Sequence, residues 1–194
     1  MRYLIPALLM LLSCLAGSAT AASHSSSPVS LLGSGQHFAM LRHALAPGTG
    51  DPAGFIVEDC ATQRNLDDAG RRQAASIGTM LREMHGQEIA VYSSRWCRCL
   101  DTARLMDVGP VVELPSLNSF YEARQNQTTQ TEALTDWLAS ADLDRPLILV
   151  THQVNITALV GEFARSGELV IVERRTDRSF SVVGKVTTVL DDSG

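Results

Sequence analysis

The chain has 194 residues, 45% of them hydrophobic, with 16 Lys and Arg against 21 Asp and Glu for a formal net charge of −5. That length is about one domain and buries a core without covalent staples, and a charged fraction of 19% excludes a disordered chain. The 14 Gly and 7 Pro are too sparse for a collagen-like or low-complexity protein, the acidic balance speaks against a nucleic-acid binder, and 4 Cys without CxxC pairs suit neither a disulfide miniprotein nor a zinc scaffold.

The first segment does not read as part of the domain. Residues 1–22 carry Arg2, an apolar run from Leu4 to Leu15 and an Ala-rich tail containing Ala19-x-Ala21, the three parts of a secretory signal peptide. The apolar run is shorter than the roughly 20 residues needed to span a bilayer. Leu11-Leu12-Ser13-Cys14 offers an alternative, a lipoprotein processing site that leaves Cys14 lipidated. Residues 23–35 form a polar, Ser-rich leader, and residues 36–194 form the expected domain, exported to the periplasm or secreted. In an oxidising compartment Cys60, Cys97 and Cys99 allow at most one internal bridge. Bridging Cys97 to Cys99 would strain a helix, so Cys60 paired with Cys97 or Cys99 is the easier disulfide; three small buried hydrophobes are the alternative.

From about residue 35 onward, short apolar runs alternate with helical periodicity, which predicts an α/β domain with a mostly parallel sheet. Strands are expected at His37–Leu41, Ile89–Tyr92, Val111–Leu114, Leu147–Thr151 and Leu169–Glu173, with Ser181–Leu190 as an antiparallel edge. The clearest helix spans Asp68–His85, capped by Asp67 and stopped by Gly86. Further helices are expected at Arg95–Met106, Thr131–Ala141 and Val154–Arg165. Residues 44–66, with Pro47, Gly48, Gly50, Pro52 and Gly54, lack periodicity; a loop of that length is usually functional or mobile.

Ligands of parallel α/β sheets bind at the carboxyl ends of strands. There the first strand ends in Arg42-His43, the fourth in Thr151-His152, and the second runs into Ser93-Ser94 and a helix start holding Arg98. Two His and two Arg thus converge on one sheet edge, a combination suited to an anion and above all to phosphate.

Leu41-Arg42-His43-Ala44, Leu66-x3-Gly70-x2-Gln73-Ala74, Tyr92-Ser93-Ser94-x3-Arg98-x3-Thr102-Ala103 and Val150-Thr151-His152 together resemble the ordered motifs of the histidine phosphatase (phosphoglycerate mutase-like) superfamily. The resemblance covers roughly residues 36–165. It implies a three-layer αβα sandwich around the sheet, a nucleophilic His43, phosphate-binding Arg42 and Arg98, and a second phosphoryl-contacting histidine at His152. Two positions depart from the family pattern: Ala44 stands where the family usually has Gly, and Gln153 where it has Gly or Asp. An imidazole nitrogen can attack phosphorus in line to give a phosphohistidine, while fixed cations stabilise the charge spread over the equatorial oxygens. That chemistry needs no metal or other cofactor.

An alcohol leaving group needs a proton. Glu122 is the candidate general acid, with Glu58 and Asp59 as rivals in the loop after His43. Arg64, Gln153 and Asn155 are candidate substrate-binding residues, and Arg124 a rim residue. The expected function is a metal-independent phosphatase acting on a phosphorylated small molecule, glycan or lipid, and not on nucleic acid. The alternative is a non-catalytic module that holds a phosphorylated glycan or lipid in the same arginine-lined pocket.

Overall fold

The computed structural model describes residues 27–188, so the expected signal peptide with Cys14, residues 23–26 of the leader and residues 189–194 lie outside the described residues. The element order is β1 (His37–Arg42), α1 (Asp68–His85), β2 (Ala90–Ser93), α2 (Cys97–Met106), β3 (Val111–Glu113), α3 (Gln127–Ser140), β4 (Leu147–Thr151), α4 (Gln153–Val160), β5 (Glu168–Arg174) and β6 (Phe180–Thr187). They build a 6-stranded sheet in the order β3-β2-β4-β1-β5-β6. The first four strands of that order pair in parallel, and β5 and β6 pair antiparallel.

Alternation along the strands divides the core in two. Ala39 and Leu41 of β1, Ile148 and Val150 of β4 and Leu169 and Ile171 of β5 face α1 and α2, where they meet Ile77, Leu81, Cys99 and Met106. Phe38 and Met40, Leu147 and Leu149, and Val170 and Val172 face the other way, toward Leu134, Leu138 and Ile156 of α3 and α4. The result is a three-layer αβα sandwich. β4 is buried along its whole length, as expected for a strand with parallel neighbours and covered faces. Among the described residues, no helix is long and apolar enough to cross a membrane.

Helix α1 has the predicted span. The Asp67 carboxylate accepts from the Gly70 amide at 2.7 Å, and Gly86 ends the helix in the left-handed region at φ 59°. Gly70 also allows a close approach: a Cβ there would lie 1.9 Å from the Leu45 carbonyl oxygen, so α1 presses directly on the chain leaving β1.

Two expectations at the last crossover need correction. The helix after β4 stops at Val160, short of Arg165, because Gly161 turns the chain out with φ 74°. From there the backbone crosses the carboxyl end of β1, where the Gly167 amide donates to the Arg42 carbonyl at 3.0 Å and the His43 carbonyl at 3.2 Å. It therefore enters the sheet from that end, and β5 runs antiparallel to β1. The antiparallel part comprises two strands, where only the last was expected to be one.

Candidate active site

The strand order places the predicted residues side by side. Arg42 pairs in register with Thr151, so the next residues, His43 and His152, emerge together; their rings lie edge to face with centroids 5.5 Å apart. On the other side of β4, Ser93 pairs with Val150, which puts Ser94 against His152 and the first turn of α2, with Arg98, above both. A cavity of about 600 Å³ opens over Arg42, His43, Arg64, Arg98 and His152. Ala44 needs no glycine: its φ is not positive, and its amide donates to the Thr102 hydroxyl at 3.0 Å.

Hydrogen bonds assign the protons on both imidazoles. His43 Nδ1 lies 2.8 Å from the Ala44 carbonyl, which only accepts, so Nδ1 carries the hydrogen and Nε2 keeps its lone pair. His152 Nδ1 faces Arg98 Nη2, a donor, at 3.5 Å. Its Nε2 therefore holds the hydrogen and donates to the Ser94 hydroxyl at 2.9 Å, and Ser94 in turn donates to the Asn118 side-chain oxygen at 3.4 Å. Burial, followed by the Arg98 charge, holds the pKa of each histidine well below the ordinary imidazole value, so both are neutral at neutral pH. Protonated His152 is thus not the resting state. Burial also pushes the adjacent Cys99 thiol up to about 12, which keeps it protonated.

The cations are crowded. Burial and the neighbouring Arg98 charge lower the pKa of both Arg42 and Arg64. Arg42 donates to the Ala164 carbonyl at 3.0 Å. Arg64 donates to the Gly50 carbonyl at 2.8 Å and also to the Ala46 carbonyl.

Sequence reasoning missed Asp51, the counter-ion of this cluster. Its oxygens accept from Arg98 Nη1 at 2.7 Å and Nη2 at 3.1 Å, from the Trp96 indole at 3.0 Å and from the Arg64 amide at 3.0 Å. The ion pair is closed off, with 3% of the Arg98 side chain and 0% of the Asp51 side chain exposed. Burial alone would raise the Asp51 pKa; the hydrogen bonds from Arg98, Arg64 and Trp96 and the Arg98 charge outweigh it and hold the carboxyl below the ordinary aspartate value. Asp51 occupies the terminal edge of the Arg98 guanidinium. On the other edge Nε has no partner, and Nη2, beyond its bond to Asp51, makes only the long contact to His152.

The 44–66 loop is fastened to one turn of chain. Beyond the Asp51 contacts to Trp96 and Arg98, Gln63 accepts from the Cys97 amide at 3.0 Å and donates to the Val57 carbonyl at 2.8 Å. Cys60 and Cys97 form a disulfide, and Cys99 is free and buried. Asp51 and Gln63 left no local signal, since their partners lie 47 and 34 residues away in sequence.

The other candidates separate. Glu122 lines the cavity, its carboxylate accepting from the Asp51 amide at 3.2 Å, and Arg124 lines the same wall. Glu58 pairs with Arg95 at 3.0 Å and Asp59 caps the Ala61 amide at 3.0 Å; neither lines the cavity. Gln153 borders it, but its amide is spent on structure: it donates to Thr157 at 2.7 Å and accepts from the Ala164 amide at 2.8 Å. Asn155 is a correction. It is buried away from the cavity and donates to the Asn118 carbonyl at 2.9 Å, so it supports the loop beside the site and does not face a substrate.

A family model described as histidine phosphatase superfamily (branch 1) matches residues 41–133. No curated protein sequence matches the chain significantly. Among solved structures, SixA from Agrobacterium tumefaciens, described as a candidate phosphohistidine phosphatase, superimposes with a TM-score of 0.54 at 19% identity, over 78% of this chain and 97% of that one. A mycobacterial glucosyl-3-phosphoglycerate phosphatase gives 0.55 at 14% identity, over 76% and 97%. A candidate alpha-ribazole-5'-P phosphatase from Escherichia coli gives 0.59 at 15% identity, over 80% and 98%. The chain therefore has the phosphoglycerate mutase-like fold of these proteins.

Proposed function

We propose that the chain is a histidine phosphatase that hydrolyses a phosphate monoester through a phosphohistidine at His43. The observation that carries this reading is a neutral imidazole, with the Nε2 lone pair free, inside a cluster of guanidinium groups where burial and the Arg98 charge lower the pKa of Arg42 and Arg64. Beside the two histidines, Arg42, Arg64 and Arg98 contribute three positive charges and Asp51 one negative, a local balance of +2. A phosphoryl dianion matches that charge.

In the first step His43 Nε2 attacks phosphorus. The ester P–O bond breaks, and the alkoxide leaves with a proton from Glu122, the carboxyl group on the cavity wall. Water then attacks the phosphohistidine and gives a proton to the Glu122 carboxylate, the P–N bond breaks, and hydrogen phosphate departs with His43 and the Glu122 acid restored. The free edge of Arg98 and the guanidinium of Arg42 hold the equatorial oxygens. Burial is the first cause of the low His152 pKa and the arginine charge the second; a bound dianion offsets the second. The matched family model supports this assignment, as does the fold shared with solved phosphatases.

Export belongs to the same proposal. A Cys60–Cys97 disulfide tying a site loop to the Arg98 helix suits an oxidising compartment, in line with the signal-peptide pattern of residues 1–22.

The decisive experiment incubates the protein with a reactive phosphoryl donor and maps the acid-labile, base-stable phosphate by mass spectrometry. Label on His43, together with loss of turnover in His43→Ala, is the expected result. Tight phosphate binding without label would instead make the domain a binding module.

A further inference from the structure

The phosphoryl chemistry occupies one end of the cavity. Its volume of about 600 Å³ is that of a site enclosing a whole small molecule, within the roughly 300–1,000 Å³ of such pockets. The remaining walls differ in character. One group of lining residues is Val154 and Ala158 of α4 and, beyond the helix, Phe163; a second is Tyr121, Arg124 and Gln127.

Phe163 is 63% exposed, yet the backbone around it is fixed. The Glu162 carbonyl accepts from Thr157 at 3.0 Å, the Phe163 carbonyl from Lys185 at 3.0 Å, and the Ala164 amide donates to Gln153 at 2.8 Å. The Ala164 carbonyl is held by Arg42 itself, and the Phe163 ring centre lies 6.0 Å from the Arg42 guanidinium carbon. A large apolar ring is thus held at the cavity beside a phosphate-binding arginine, where the first atoms beyond an ester oxygen would lie. In the same cavity lining, Tyr121 is 42% exposed, with the Arg124 guanidinium carbon 4.9 Å from its ring centre and Arg124 Nε donating to the Tyr121 carbonyl at 3.1 Å. That arrangement gives this part of the lining a flat surface and fixed donors.

We infer that Phe163 and the Tyr121–Arg124 pair form a leaving-group subsite for a ring that bears hydroxyls, making the substrate class a sugar-like ring phosphate. Phe163 covers a flat C–H face of the ring, and Arg124 and Gln127 meet its hydroxyl edge. The inference rests on the phosphatase reading.

The test measures kcat and KM for the wild type, Phe163→Ala and Arg124→Ala on glucose 6-phosphate, phenyl phosphate and glycerol 3-phosphate, with circular dichroism confirming folding. Comparing each variant with the wild type on one substrate at a time cancels leaving-group acidity. Phe163→Ala is expected to lower selectivity for both ring esters over glycerol 3-phosphate by about tenfold, through KM, the scale of one aromatic contact. Arg124→Ala should lower selectivity for glucose 6-phosphate over phenyl phosphate. Turnover of all three esters with unchanged selectivity in both variants refutes the subsite and leaves the phosphatase reading standing. A ring effect confined to phenyl phosphate refutes the hydroxylated ring. No turnover by a protein that labels on His43 also refutes the subsite, whereas no turnover and no label refutes both readings.

Discussion

Replacing Asp51 by Asn removes one charge from the site and almost no volume. In the wild type that charge sits between the terminal nitrogens of Arg98 at 2.7 and 3.1 Å, with both side chains closed to solvent. Removing one member of such a pair strands the other and costs about 3–5 kcal/mol. Asn keeps one oxygen, which in the place of Oδ1 still accepts from the Arg64 amide and Arg98 Nη1, but its NH2 group then faces the Arg98 Nη2 and Trp96 indole donors, so nothing restores the lost contacts. We expect Asp51→Asn to unfold in urea with a stability about 3 kcal/mol or more below the wild type. The charge of the cluster beside the histidines simultaneously rises from +2 to +3 (Arg42, Arg64 and Arg98 without Asp51), so inorganic phosphate should stabilise the variant more than the wild type. Saturation to 100 times the dissociation constant is worth about 2.7 kcal/mol, enough to recover most of the loss. Urea titrations with and without phosphate supply both numbers. A variant within about 1 kcal/mol of the wild type, or one that phosphate stabilises less, would refute the view that Asp51 balances the arginine cluster.

The pH dependence of stability has a definite sign. Both histidines have folded-state pKa values below the unfolded one, so the unfolded chain binds more protons as pH falls through about 6.5, and stability declines by up to about 1.4 kcal/mol per pH unit for each. Bound phosphate should blunt that decline, and denaturant titrations from pH 7.5 to 5 read it. At lower pH, Asp51 contributes in the same direction: its folded pKa is depressed, so its stabilisation is present above the unfolded value and lost as pH falls through the folded one, a limb that Asp51→Asn should lack. Glu122→Gln is expected to cut kcat on alkyl phosphates by about 10²–10⁴ while sparing p-nitrophenyl phosphate, whose leaving group needs no proton; equal losses on both would remove Glu122 as the acid. The Cys60–Cys97 bridge closes a sequence separation of 37 residues, which on loop entropy is worth about 4 kcal/mol, and the Cys60→Ser/Cys97→Ser double variant should lose about that in urea unfolding.

The sequence was most legible where one element obeys a local rule. Asp67, the helical spacing of α1 and Gly86 lie within one segment, and capping and periodicity act at that range. The strand ends carrying Arg42-His43 and Thr151-His152 were visible because a parallel sheet aligns its carboxyl ends whatever its loops do. The loop after His43 was opaque for the opposite reason: its Gly and Pro break periodicity, and what orders it is a set of contacts to Trp96, Cys97 and Arg98 that no local pattern encodes. Asn155 misled because closeness to His152 in sequence put it on the first turn of α4, where the helix rotates it away from the cavity toward the Asn118 carbonyl.

By itself the sequence determined the αβα architecture, the strand-end histidines and arginines, and the reason an acidic protein can hold an anion: net charge is set by the whole surface, whereas the site is set by a few cations. Only the tertiary structure decided which cysteine pairs with Cys60, which imidazole nitrogen is free and how the arginine charge is balanced. Each of these depends on groups brought together from distant segments and closed off from water. Burial then turns a contact that solvent would screen into one that fixes protonation, charge and direction.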